Sequence, residues 1–239
     1  MIKSLYDGAA AMHVIHRQHE QTSNNLANVN TGGFRRVILG VHNRTNTNAR
    51  GVVGSGPQIQ GAFTDFSSGR LIDSRRSLDF AISGDGFFKL QANNGAELFT
   101  KDGRFFRNYE TGQLVNVDNV VVLGEDGPID IPPDLSDSAI SVGPDGTLVA
   151  GDQRLGKLSI AQFENNNSLV PVGQTSFRRG NDTVDKDEVD VQVRQFFHEV
   201  SNINPTGELI NLIVGGRHYE AIQKATRTIA DALQQSIRG

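Results

Sequence analysis

Three histidines stand out among the groups that do chemistry: His13, His16 and His19 fall at i, i+3 and i+6. On a helix, adjacent members share a face, and imidazoles gather around metals in this way. The first and third converge poorly at 3.6 residues per turn, and no Asp or Glu is spaced to complete a ligand set. The expectation is a polar helix face without metal. A second group is acidic: Asp182, Asp185, Asp187, Glu188 and Asp190. It lacks the glycine at loop position six and the ligand spacing of a calcium loop. A solvated loop leading into a strand over 189–197 is expected there. Asp-Gly pairs at 85–86, 102–103, 126–127 and 145–146 supply carboxylates that a glycan hydrolase would need in pairs. Such an enzyme requires one carboxyl of raised pKa at fixed separation from another, whereas Asp before Gly in a turn caps its own backbone. The glycines of 51–56 and of Gly84-Asp85-Gly86 have no Lys-Ser/Thr after them, so they are turn glycines rather than a phosphate cradle. Gly54-Ser55-Gly56 lacks the Gly-x that precedes the serine of a nucleophile elbow. The Arg pairs at 35–36, 75–76 and 178–179 read as solvated surface charge. No catalytic, metal or cofactor residue is assigned; a peptidoglycan-acting hydrolase and a secreted adhesion module are the alternatives to a structural role.

Composition narrows the class further. The 239 residues, 37% of them hydrophobic, suffice for one or two domains with a sizeable core. Cysteine is absent, which excludes disulfides, thiolate nucleophiles, Cys-ligated zinc and iron–sulfur clusters. A net charge of −4 gives no overall basic field for gripping phosphates, so nucleic acid is not an expected partner. No apolar run approaches the ~18–20 residues of a membrane span. Asp7 and the histidines interrupt any leader-like apolar stretch, so no cleaved signal peptide is expected.

The elements that carry these residues fall into zones. In residues 1–34, Ile2, Leu5, Ala9, Met12, Ile15, Leu26 and Val29 lie at helical spacing, and Thr31-Gly32-Gly33 supplies a stop. Residues 200–239 mirror them, with Asn204 as N-cap and Pro205 at the first helical position. There Leu209, Ile213, Gly216, Tyr219, Ile222, Thr226, Ile229, Leu233 and Ile237 advance in eight steps across 28 residues. The mean step of 3.5 is the coiled-coil period. Between the helices, residues 71–199 alternate short β-type runs with Asp-Gly, Asn94-Gly95 and Thr111-Gly112 turns, the pattern of an antiparallel domain of hairpins. Residues 35–70 are polar and Gly-rich, and read as an extended connector with room for one strand. The fold class is α+β: a mainly antiparallel β-domain flanked by two long helices with narrow apolar seams. A β-domain of that size needs neither helix for its own core, so the seams predict that the helices pair with each other and with other copies.

The segment Ser23-Asn24-Asn25-Leu26-Ala27-Asn28-Val29-Asn30-Thr31-Gly32-Gly33-Phe34 resembles the N-terminal signature of the bacterial flagellar rod and hook proteins. Leu78-Asp79-Phe80-Ala81-Ile82-Ser83-Gly84-Asp85-Gly86-Phe87-Phe88 is similar to the opening of that family's β-domain. Phe99-Thr100-Lys101-Asp102-Gly103-Arg104-Phe105, with Gly112-Gln113-Leu114-Val115, resembles its next hairpin. Ser201-Asn202-Ile203-Asn204, Glu208-Leu209 and Arg217-His218-Tyr219-Glu220 resemble its C-terminal helix. The resemblance implies a structural subunit of the basal-body rod in the periplasm, without cofactor or catalytic residue. It implies export through the flagellar type III apparatus, no cleaved leader, and polymerisation with itself and with other rod and hook proteins into the drive shaft. The assembly residues it implies, together with the seams, are Leu5, Ala9, Met12, Asn24, Asn25, Leu26, Asn28, Val29, Leu209, Ile213, Tyr219, Ile222, Ile229 and Leu233. The asparagines are expected to make hydrogen bonds between subunits. The 50 positions from Phe34 to Gly84, and the segment Gly124–Pro132, look more like the proximal than the distal rod component.

Overall fold

The computed structural model describes residues 2–48, 51–186 and 191–238. Asp187, Glu188 and Asp190 of the acidic run, and the first residues of the strand expected over 189–197, lie outside the described residues, as does the side chain of Ile237. The chain divides into two compact units: residues 1–28, 36–65 and 203–239 form one, and residues 29–35 and 66–202 the other.

The first unit is built from helix α1 (Ile2–Ala27), strands β1 (Val37–Asn48) and β2 (Gly51–Thr64), and helix α2 (Pro205–Arg238). Helix α2 begins where local rules put it. Asn204 Oδ1 accepts from Gly207 N at 3.2 Å and Pro205 takes the first helical position. Helix α1 ends at Ala27, before the expected Gly stop, because residues 28–30 turn away from the helix. The two helices run antiparallel, since Gly8 of α1 abuts Thr226 and His19 abuts Gly215. A Cβ at Gly8 would lie 2.6 Å from Thr226 Oγ1, and one at Gly215 would lie 2.8 Å from His19 Nε2. Small residues therefore set how closely the helices approach.

Residues 35–70, expected as a connector, carry a long antiparallel hairpin instead. Strand β1 pairs with β2 from Val37↔Thr64 to Asn48↔Gly51, with register shifts at Gly40/Val41 and Thr45/Thr47. The ribbon lies along α1, with Gly56 against Ala10 and Asp7. Its sequence hid it: glycines and polar residues fill both faces, and the two bulges interrupt the alternation by which a half-buried strand is read.

The second unit is the antiparallel β-domain. It includes strands β3 (Leu71–Asp73), β4 (Phe80–Ser83), β5 (Phe87–Gln91) and β6 (Glu97–Thr100). Strand β5 is central, pairing with β6, with the strand Val121–Gly124 and with Ile160–Ala161. The Asn94-Gly95 turn joins β5 to β6 as expected, with Gly95 at φ +81°. Two buried clusters fill the domain. One gathers Phe80, Phe88, Leu90, Phe105, Leu114 and Leu148; the other gathers Phe87, Phe99, Phe163 and Phe177 with Phe66 against them. Phe99 meets Phe163 edge-on at 4.9 Å, and Phe88 meets Phe105 at 5.1 Å. Such pairs add about 0.5–1.5 kcal/mol each beyond area burial, so thirteen phenylalanines support a core in a chain without tryptophan. The C-terminal strands of the unit are short: Gln192–Gln195 pairs with β4, and Phe197–Glu199 pairs with β3.

Candidate assembly interface and its anchor

The sequence-predicted assembly residues separate into three environments. Leu5, Met12, Tyr219, Ile222, Ile229 and Leu233 are half-buried in the helical unit, where α1 and α2 pack. Leu26 and Val29 are half-buried as well, while Ala9 and Asn24 are exposed. Leu209 and Ile213, also seam residues, point the other way: they are 48% and 58% exposed, beside Ile210 at 55% and Val214 at 44%. The face of α2 that meets α1 is fixed by Gly215 under His19, and this face excludes the first seam residues. Four large aliphatic side chains within six residues of one helix are thus left in water.

The asparagines act within the chain. Asn25 is 2% exposed; its Nδ2 donates to Val37 O at 2.9 Å, and its Oδ1 accepts from Val37 N at 3.1 Å. Its side chain thereby imitates a strand partner and fastens the start of β1 to α1. Gln21 Nε2 also donates to Asn25 Oδ1. Asn28 is buried, with Nδ2 on Asn24 O at 2.9 Å. The inter-subunit bonds expected of Asn25 have no free amide group to make them. Arg36 Nε pairs with Glu208 in the first turn of α2, a favourable place for a carboxylate near a helix N-terminus. A groove of about 300 Å³ runs past Ile15, His19, Asn25, Arg36, Glu208 and Val214.

In the β-domain unit, three of the resembling motifs converge. Residues Thr31–Phe34 form a turn, with Phe34 N donating to Thr31 O. Gly33 sits at φ +68° and its N donates to Glu199 O at 2.8 Å. A Cβ there would lie 2.3 Å from the backbone N of Asp102, so the turn rests directly on the 101–104 loop. Asp102 caps Arg104 N, as its Asp-Gly position suggested, and also pairs with the guanidinium at 2.7 and 2.9 Å. That hydrogen bond, with the carboxylate charge, raises the pKa of Arg104.

Arg35 overturns the reading of its pair as solvated charge. It is 2% exposed, and its Nη2 donates to Glu199 Oε1 at 2.8 Å. Glu199 Oε1 also accepts from Gly69 N. Lys101 is buried too, with Nζ donating to Gly84 O at 2.8 Å and lying 5.0 Å from the Phe87 ring centre. Burial lowers its pKa to about 8; the Arg35 charge adds to the lowering and Glu199 opposes it. Sequence reasoning missed Arg35, Lys101 and Glu199 as a set, since their partners are far apart in the chain. The signal available was the placing of Arg35 and Lys101 inside or beside the resembling motifs.

The remaining candidates are dispersed. His13 and His16 are exposed, and among the described residues no group of three His, Asp or Glu side chains is placed to hold a metal. Asp185 pairs with Arg179, and Arg76 with Asp79.

A helix–hairpin–helix unit with exposed aliphatic residues, joined to a hairpin-built β-domain through a buried anchor, defines a subunit of a structural assembly. Residues 81–150 match the family described as the flagellar hook protein FlgE/F/G D1 domain, and residues 194–238 match the flagellar basal body rod FlgEFG protein C-terminal family. A flagellar basal-body rod protein FlgF of Caulobacter vibrioides is 32% identical over 99% of this chain and 97% of its own length. Basal-body rod proteins FlgG of Agrobacterium fabrum and Bacillus subtilis are 30% and 28% identical, over 95% and 99% of this chain. The chain belongs to the flagellar basal-body rod protein family, the axial structural subunits of the flagellum.

Proposed function

We propose that the chain polymerises, with its own copies and with other rod and hook proteins, into the proximal part of the shaft that carries torque across the periplasm. The observation that carries the reading is the strip Leu209, Ile210, Ile213 and Val214, each 44–58% exposed on α2. Half of four such side chains is about 300 Å² of apolar surface, or ~7 kcal/mol gross if covered, before association entropy is subtracted. Of the expected assembly residues, Leu209 and Ile213 meet neighbouring subunits, while Leu5, Met12, Tyr219, Ile222, Ile229 and Leu233 first hold the helix pair together. The short connector supports the proximal assignment. Export through the flagellar type III apparatus, without a cleaved leader, goes with membership of the rod.

Ile213→Asp tests the reading. The side chain is mostly in water, so the isolated variant should keep its helix content and melting temperature. A charge buried at a subunit contact is expensive, so cells carrying only this variant should be non-motile and lack it in isolated basal bodies. Normal swimming with full incorporation would overturn the assignment. Labelling the β-domain in isolated basal bodies then distinguishes a proximal from a distal position.

A further inference from the structure

We propose that the anchor of the β-domain holds a small monovalent anion, of halide size, at an edge of the Arg35 guanidinium that Glu199 leaves free. Two of the three guanidinium nitrogens, Nε and Nη1, are out of water's reach and find no acceptor among the described residues. Buried N–H groups are otherwise almost always satisfied, and leaving a charged donor without an acceptor is costly. Glu199 offers little more: its Oε1 already takes Arg35 Nη2 and Gly69 N.

The charge balance points the same way. Lys101 is the second buried cation, and among the described residues no carboxylate lies within ion-pair distance of it. Its charge acts on the same ground, interacting with Glu199 and Arg35. Asp102, the nearest acidic residue in sequence, is committed to Arg104 through both oxygens. Arg35 and Lys101 therefore face Glu199 with one positive charge in excess, in a place where unpaired charge is expensive. A water molecule would accept the N–H groups but leave that excess. A monovalent anion does both. Larger or doubly charged anions fit neither the burial of Arg35 nor the single surplus charge. The ligand would bear on the turn at Gly33, whose N–H is held by the backbone of Glu199.

The test uses the full chain in sodium chloride against sodium gluconate, an anion too large to enter, at constant ionic strength. Above its dissociation constant, each tenfold rise in chloride should raise the folded-to-unfolded ratio of the β-domain close to tenfold. Crystals soaked in sodium bromide should show an anomalous peak in hydrogen-bond contact with Arg35. Chloride should also move the titration of the Lys101 amine, followed by NMR, upward from about 8. Lys101→Met removes the surplus charge and should flatten the chloride dependence; Arg35→Met should abolish both it and the bromide peak. Should Arg35→Met fail to fold, Lys101→Met and the bromide experiment still decide. Equal stability in the two salts, a chloride effect undiminished in Lys101→Met, a Lys101 titration indifferent to chloride, or water alone at Arg35 would each overturn the proposal.

Discussion

Gly33→Ala is the sharpest probe of the anchor. The added methyl meets two penalties. The backbone is at φ +68°, where a side chain costs about 1–2 kcal/mol relative to glycine. The new Cβ would also sit 2.3 Å from Asp102 N and 2.7 Å from Asp102 Cα. Backbone atoms cannot swing aside as a side-chain tip does, so the turn must lift from the 101–104 loop. Lifting it loosens the Gly33 N to Glu199 O hydrogen bond, worth about 0.5–1.5 kcal/mol net. Together these give a loss of about 2–4 kcal/mol, concentrated at the anchor. Gly95→Ala is the control: Gly95 has φ +81°, but nothing lies within 4 Å of its would-be Cβ. It pays the conformational penalty alone. The assay is urea unfolding by circular dichroism, with amide exchange read at Gly33 and in the strand Phe197–Glu199. If Gly33→Ala costs no more than Gly95→Ala, with unchanged exchange at Gly33, the close docking of the turn is wrong.

Two other perturbations follow from the same geometry. Lys101 has a folded pKa of about 8 against a model value of 10.5, so between these values the unfolded chain binds more protons and stability must rise with pH. The gain should approach ~3 kcal/mol by the upper end in low-halide buffer; Lys101→Met should abolish it, which unfolding curves at pH 7 to 10.5 will show. Asn25→Ala should leave Val37 N–H and C=O without their partners and cost about 2–4 kcal/mol. Asn25→Asp keeps the acceptor but not the donor, so the Val37 amide should stay slow to exchange there and become fast in the alanine variant.

What could be read from the sequence was what local chemistry decides. Asn204 and Pro205 start a helix by rules that involve four residues, and Asn94-Gly95 turns a hairpin by its own φ preference. The phenylalanine-rich runs became strands because their partners lie one turn away. The hairpin over 37–64 was illegible because its stability comes from pairing and from α1, while its own pattern is polar and broken by bulges. Arg35 was illegible for another reason. Arg35 and Arg36 are the same residue type in adjacent positions, yet one is sealed against Glu199 and the other half-exposed beside Glu208. Only a partner 164 positions away separates them. The seam of α2 was legible as a period but not as a direction, since Gly215 under His19 decides which face turns inward.

That direction has a consequence for how assembly proceeds. The strip on α2 faces water, and a different apolar set is exposed in the same unit: Ile38, Val41 and Phe63 on the hairpin, and Tyr6 on α1. These patches are unlike in shape and composition. A twofold dimer buries the same patch on both partners, whereas two unlike patches meeting head to tail leave each end open for another copy and propagate a helix. If the strip of one subunit covers the hairpin patch of the next, Ile213→Asp breaks only one of the two surfaces. Such a chain can still be added through its intact patch but offers no strip to the following subunit. Co-expressed with the natural chain, it should therefore truncate assemblies at substoichiometric amounts, seen as shortened rods in isolated basal bodies. A contact made by identical patches would instead exclude the variant and leave rods of normal length, and that outcome would rule out head-to-tail growth through this strip.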